Sequence, residues 1–153
     1  MRHVAVLVLF SSAVMLTACS FMTEYVVVNT TDQEVEVRYR LKAPSEFLDS
    51  DAPSIMPVSK LLDDDVRWKK LGDGEYRFAA ESHTVIVRLA AGQALLLERI
   101  RRADMTVDVA KDAEKFSVEE VFISGAHGEV RYAGDKLPKA FVRKARDIYI
   151  LPY

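Results

Sequence analysis

Cysteine is nearly absent from this chain of 153 residues, and Cys19 is the only one. A lone cysteine cannot staple a fold through intramolecular disulfides, so a small disulfide-built scaffold is excluded. It also leaves no cysteine set for a structural zinc site. Long apolar runs are missing too. The most continuous, Val4 to Leu16, falls well short of the about 20 residues that a membrane-spanning helix needs. Neither sign of charge dominates. Lys and Arg number 21 against 23 Asp and Glu, for a net charge of −2, which lacks the basic footprint of a nucleic-acid binder. With 6 Gly and 5 Pro the chain carries no low-complexity tract, and its 50% hydrophobic and 29% charged residues suit a folded domain rather than a disordered one.

What is present begins at the N-terminus. Met1-Arg2-His3 is short and basic, Val4 to Leu16 is mostly apolar, and Leu16-Thr17-Ala18-Cys19 follows directly. That order matches a secretory leader: a basic start, a short apolar core and small residues at a cleavage point. The last four residues resemble the lipobox of bacterial lipoproteins, an aliphatic residue and two small ones before a cysteine. The resemblance implies that residues 1–18 are a signal peptide cut between Ala18 and Cys19. It further implies a diacylglycerol thioether on Cys19 and acylation of the new amino terminus. One acyl chain binds a bilayer only marginally, at about 0.8 kcal/mol per buried methylene, whereas two or three hold durably. Ser20 stands where an aspartate would favour retention in the inner membrane of a Gram-negative cell, so the expected location is the outer membrane, facing the periplasm.

Once residues 1–18 are removed, the remainder is long enough for one domain that buries roughly two-thirds of its unfolded surface. Residues 19–23 read as a very short lipidated tether and residues 24–153 as a single β-rich globular domain. Glu24 to Val28 is β-branched and aromatic, Asn29-Thr30-Thr31-Asp32 has turn chemistry, and Glu34 to Leu41 alternates apolar and charged residues. The two segments predict a hairpin. Residues 42–64 form a Pro-containing loop with one helical turn around Val58 to Leu62. Further strands are expected at 66–69, 75–79, 84–89, 94–99, 106–109, 118–124, 129–132 and 147–151. Gly125-Ala126-His127-Gly128 makes a hairpin turn between two of them, and a short helix is expected over 111–115. Residues 137–146 fit a helix or a strand. Short strands at close intervals indicate an all-β, mainly antiparallel module, a small β-sandwich or barrel with at most one or two short helices.

Chemistry-bearing residues are sparse. Asp63-Asp64-Asp65 lacks the alternating spacing of a calcium loop and reads as a solvated connection. His83 and His127 each fall at a turn, with no partner spacing for a metal. No serine sits in a Gly-x-Ser-x-Gly elbow, and Gly72-Asp73-Gly74 is followed by strand-like residues rather than by the helix of a phosphate loop. No catalytic, metal or cofactor site is expected. Trp68, Tyr76, Phe78, Phe122, Phe141 and Tyr149 could line an apolar pocket, but residues of this size are chiefly needed to fill the core.

Two basic clusters stand out, Arg99, Arg101 and Arg102, and a C-terminal group with Lys136, Lys139, Arg143, Lys144 and Arg146. On the face nearest the anchor they would meet lipid headgroups or an envelope partner, protein or polymer, at about 1 kcal/mol per charge near an anionic surface. Asp104, Asp135 and Asp147 interrupt both clusters. The expected function is therefore a membrane-anchored, non-enzymatic structural or interaction module. A carrier or sensor of a small apolar or lipidic ligand is the alternative, and a hydrolase a more distant one.

Overall fold

A computed structural model of the chain describes residues 21–42, 52–63, 67–102, 109–145 and 147–153. Their strands are β1 (Phe21–Val28), β2 (Val35–Leu41), β3 (Ser54–Pro57), β4 (Lys69–Lys70), β5 (Tyr76–Ala79), β6 (Thr84–Leu89), β7 (Gln93–Arg102), β8 (Val118–Gly125), β9 (Gly128–Ala133), β10 (Val142–Ala145) and β11 (Ile148–Pro152). Helix α1 (Val109–Lys115) precedes β8 and α2 (Lys136–Ala140) precedes β10. One sheet runs β10-β11-β1-β7-β3-β4 and the other β5-β6-β2-β8-β9. Every pairing is antiparallel except that of β1 with β11. This is the expected all-β sandwich with two short helices.

Alternation along each strand builds the core. Val35, Val37 and Tyr39 point inward from β2, and Val85, Val87 and Leu89 from β6. Tyr25 and Val27 of β1 meet them from the opposite sheet, with Leu95 and Leu97 beside them on β7. Each buried Val or Leu contributes about 1.5–3 kcal/mol relative to exposure. The six-stranded sheet has a second apolar layer on its outer face. Val26, Val28, Met56 and Ala94 are buried there beneath Leu61 and Trp68, from the segment that leaves β3 through a 3₁₀ turn at Val58–Lys60. Being covered on both faces, Tyr25–Val28 of β1 and Ala94–Leu97 of β7 read as continuous apolar runs rather than alternating ones.

The expected hairpin between residues 24–28 and 34–41 does not form. β1 lies in the six-stranded sheet and β2 in the five-stranded one. Asn29 explains the change of sheet. It is fully buried, its Nδ2 donates to the carbonyls of Gln33 (2.7 Å) and Leu89 (2.9 Å), and its Oδ1 accepts from the amide (3.0 Å) and hydroxyl (2.7 Å) of Thr31. Leu89 ends β6, so the side chain bridges the sheets and sends the chain across the sandwich.

Other expectations need smaller corrections. β1 begins at Phe21, three residues before the expected start. Of the strand expected over 66–69, only Lys69 pairs, together with Lys70, and residues 64–66 lie outside the described residues. Val109 opens α1 instead of ending a strand, and the rest of that expected strand, 106–108, is not described. The ambiguous stretch 137–146 divides into both forms, α2 followed by the edge strand β10.

Candidate functional site

The outer face of the six-stranded sheet carries the most site-like surface. Register places Met22 opposite Arg101, Glu24 opposite both Arg99 and Ile148, and Ala145 opposite Ile148. A groove of about 480 Å³ opens along this row, lined by Met22, Glu24, Leu62, Trp68, Arg99 and Ile148, among others. The Trp68 indole N–H donates to both oxygens of Glu24 at 3.2 Å, and Arg99 donates to Glu24 Oε1 through Nε at 3.0 Å and Nη2 at 2.7 Å. Glu24 therefore fixes the indole and the guanidinium on one strand row, leaving the apolar walls open to solvent.

This groove lies at the end of the sandwich where β1 starts. The large hydrophobic residues that stand exposed among the described residues are Met22 (44%), Leu62 (55%) and Val142 (60%). All belong to this side. Met22 and Leu62 line the groove, and Val142 is registered with Ile150, which packs into the outer apolar layer.

The inner side of the same strand end holds a buried polar cluster. Arg102 is 7% exposed and Asp112 of α1 is 1% exposed, and the two form an ion pair. Tyr25 donates its hydroxyl to the same Asp112 oxygen, and Arg102 Nε donates to Thr23 Oγ1 at 2.7 Å. Around the phenol, Phe116 and Phe141 meet the ring edge-on at 4.6 and 5.2 Å, and Tyr149 stacks at 5.3 Å. Burial pushes the Tyr25 phenol up to about 12, Arg102 opposing this and Tyr149 adding to it. No buried side-chain polar atom among the described residues lacks a partner. The cluster is closed to solvent and fully satisfied, so it fastens α1 to the sheet and offers no open position to a ligand.

The outer face of the five-stranded sheet is charged but internally neutralised. One row crosses all five strands as Arg77, Ile86, Arg38, Phe122 and Arg131. Arg38 pairs with Glu36 at 2.5 Å and lies over the Phe122 ring at 5.5 Å, which places Phe122 outside the core, contrary to expectation. Arg40 pairs with Glu119 (2.5 Å) and Glu120 (2.9 Å), and Arg131 also pairs with Glu120. Exposed pairs of this kind contribute about 0.2–1 kcal/mol each and leave little net field for an anion. A shallow hollow of about 310 Å³ lies among Arg38, Arg40, Thr84 and Phe122. A third groove, about 470 Å³, opens between the sheets beside Tyr39, Leu41, Pro53 and Leu97.

The residues expected from sequence to contact lipid or a partner divide between these places. Arg99 and Arg101 lie on the outer face of β7, and Arg101 is exposed. Arg102 is corrected: strand alternation turns it inward to Asp112, so it presents no charge to a surface. Lys139, on α2, pairs with Asp135 at 3.1 Å. Arg143 and Lys144 are exposed on β10, about 14 Å from β7 at three strand spacings. The two basic clusters are thus not one patch. Arg146, Asp64, Asp65, Ala18 and Cys19 lie outside the described residues, while Asp63 pairs with Lys60 at 3.1 Å.

His83 adopts a left-handed conformation (φ 49°) closing the turn into β6, and His127 is exposed at the β8–β9 turn. Among the described residues neither side chain hydrogen-bonds a serine or a carboxylate, and no group of three or more His, Cys, Asp or Glu converges. Of the aromatic set, Phe141 and Tyr149 are core, Tyr76 and Phe78 pack against it, and Trp68 belongs to the outer layer. Sequence reading missed the groove because Met22, Leu62 and Trp68 come from three separate segments. The available signal was that Trp68 is the chain's single tryptophan and sits among charged residues instead of within an apolar run. The chain matches no family model, no curated protein and no solved structure, so its function is argued from these residues.

Proposed function

We propose that the chain is an envelope lipoprotein, lipidated on Cys19 and held at the outer membrane facing the periplasm, whose β-sandwich serves as a non-enzymatic interaction module. The observation that carries this reading is where β1 starts. Phe21, two residues beyond Cys19, is already paired with Arg102 in a strand held between β7 and β11. Two residues reach about 7 Å when extended. A lipid on Cys19 would hold the domain directly against the bilayer instead of on a stalk. Among the described residues neither His83 nor His127 hydrogen-bonds a hydroxyl or a carboxylate, which supports a binding role over hydrolysis, because general acid–base work needs such contacts.

The carrier alternative requires an apolar chamber of roughly 300 Å³ or more. Between the sheets, Tyr25, Leu89, Leu95, Ile123, Leu137 and Leu151 are all fully buried and pack in one cluster, and the three grooves described all open to solvent. That favours recognition on the outside of the sandwich. Native mass spectrometry of the full-length product, extracted from host membranes in mild detergent, tests the anchor. The expected mass lacks residues 1–18 and carries acyl chains; an unmodified soluble mass refutes it. A co-purifying small molecule in the same spectrum would favour the carrier.

A further inference from the structure

The geometry points to the outer face of the six-stranded sheet, at the end where β1 starts, as the surface that seats on the phospholipid bilayer. The inference rests on the lipid-anchor reading and adds an orientation to it: Met22, Leu62 and Trp68 enter the headgroup layer while Arg101 meets lipid phosphate.

Distance is the first argument. The interfacial layer on each side of a bilayer is about 5–8 Å deep, and peripheral apolar groups settle about 5–10 Å into it. A Cys19 thioether at the hydrocarbon boundary leaves Phe21 within about 7 Å, inside that layer. Met22 is the next residue, and its side chain points to the outer face.

Composition is the second. Met22, Leu62 and Val142 all stand exposed on this one side, whereas the other sheet presents ion-paired Arg and Glu. Trp68 is half-buried in the same groove with its N–H bound to Glu24, an apolar ring with a polar edge of the kind that settles at membrane interfaces.

Charge is the third. Arg99 and Glu24 cancel within the groove, and so do Lys60 and Asp63 at its rim. Arg101 lies opposite Met22, exposed, with no ion pair among the described residues. Asp147 adds a carboxylate to the groove lining, and the Arg101 guanidinium beside Met22 is placed to donate to a lipid phosphate next to the apolar side chains.

The single tryptophan makes the test direct. The full-length protein would be expressed in a bacterial host and its intact mass measured. The membrane-extracted product would then be reconstituted into phosphatidylethanolamine–phosphatidylglycerol vesicles containing lipids brominated at defined depths. The expected result is an acylated mass, blue-shifted Trp68 emission, and quenching strongest for bromines near the headgroups. Leu62→Glu should cut that quenching at least twofold with unchanged circular dichroism and unchanged acylation. An acylated protein whose Trp68 responds to aqueous iodide and not to brominated lipid overturns the seating alone and leaves the anchor standing. An unacylated mass overturns the anchor, and the seating with it. Protection of Trp68 from both quenchers means that a second copy covers the groove, which also overturns the proposal.

Discussion

Asn29 occupies a position where one amide satisfies four partners from a site with no access to water. Replacing it with Ala removes the side-chain donor to the buried Leu89 carbonyl and the acceptor of the Thr31 amide, while the Gln33 carbonyl keeps the Thr31 hydroxyl, and a buried unsatisfied group costs about 1–3 kcal/mol. Asn29→Ala is therefore expected to destabilise the fold by about 2–4 kcal/mol in urea denaturation, whereas Thr31→Ala, which gives up a partly exposed hydroxyl, should cost less. Tyr25 gives a second residue-scale expectation. Its folded-state pKa lies above the unfolded value of 10.0, so above pH 10 the unfolded chain releases a proton that the folded chain keeps. The stability contributed by the neutral phenol is complete below pH 10 and is lost as pH rises from 10 towards 12. Tyrosinate absorbance at 295 nm should show the Tyr25 phenol titrating late, with unfolding midpoints falling across the same window. Gly125 is a third tight point. A Cβ there would lie 2.8 Å from Val35 Cγ1 and 3.1 Å from the Tyr153 ring. Gly125→Ala should cost about 1–3 kcal/mol by overpacking, and Tyr153→Ala in the same chain should recover part of the loss of thermal midpoint.

At the level of elements, α1 depends on the buried pair. Arg102→Leu strands Asp112 in the interior, where an uncompensated charge costs about 3–5 kcal/mol, while replacing both partners with apolar residues is often neutral. A double-mutant cycle with Arg102→Leu and Asp112→Leu should give a double variant more stable than either single one. A double loss equal to the sum of the two single losses would mean that the pair does not act as a unit. Most strands were legible in the sequence because β2 alternates with period two, β6 is rich in β-branched residues and the β8–β9 hairpin has Gly at its turn. The crossing at Asn29 was not legible, since Asn-Thr-Thr-Asp has the chemistry of a hairpin turn and nothing local says that its first side chain will be buried against another sheet. Arg102 was misread for a related reason. Three arginines within four residues resemble a solvated patch, yet alternation on β7 sends Arg99 and Arg101 to one face and Arg102 to the other. Residues 137–146 fitted both periods because they contain both elements.

For the molecule as a whole, the two sides of the sandwich differ in kind. One is covered by balanced Arg–Glu pairs, and the other carries an apolar layer with an open groove at the β1 end. Sequence alone conveyed the fold class, because it depends on local pattern. The groove required assembly of β1, the segment after β3, and the β10–β11 edge, which no short window contains. If the apolar side seats on a membrane, Arg101→Glu should weaken vesicle retention of the acylated protein at low salt, with the difference shrinking as salt is raised, as sedimentation with vesicles would report. The β1–β11 pairing has a kinetic corollary. The first strand of the domain lies at the interior of its sheet, and one of its two neighbours is the last strand, paired Glu24 to Ile148 through Val28 to Pro152. That sheet cannot close until β1 and β11 meet across the length of the domain, a long-range pairing that predicts folding in milliseconds to seconds rather than microseconds. A polypeptide emerging N-terminus first through a translocation channel would stay unlocked until its final strand arrived, and the delay itself would keep it threadable.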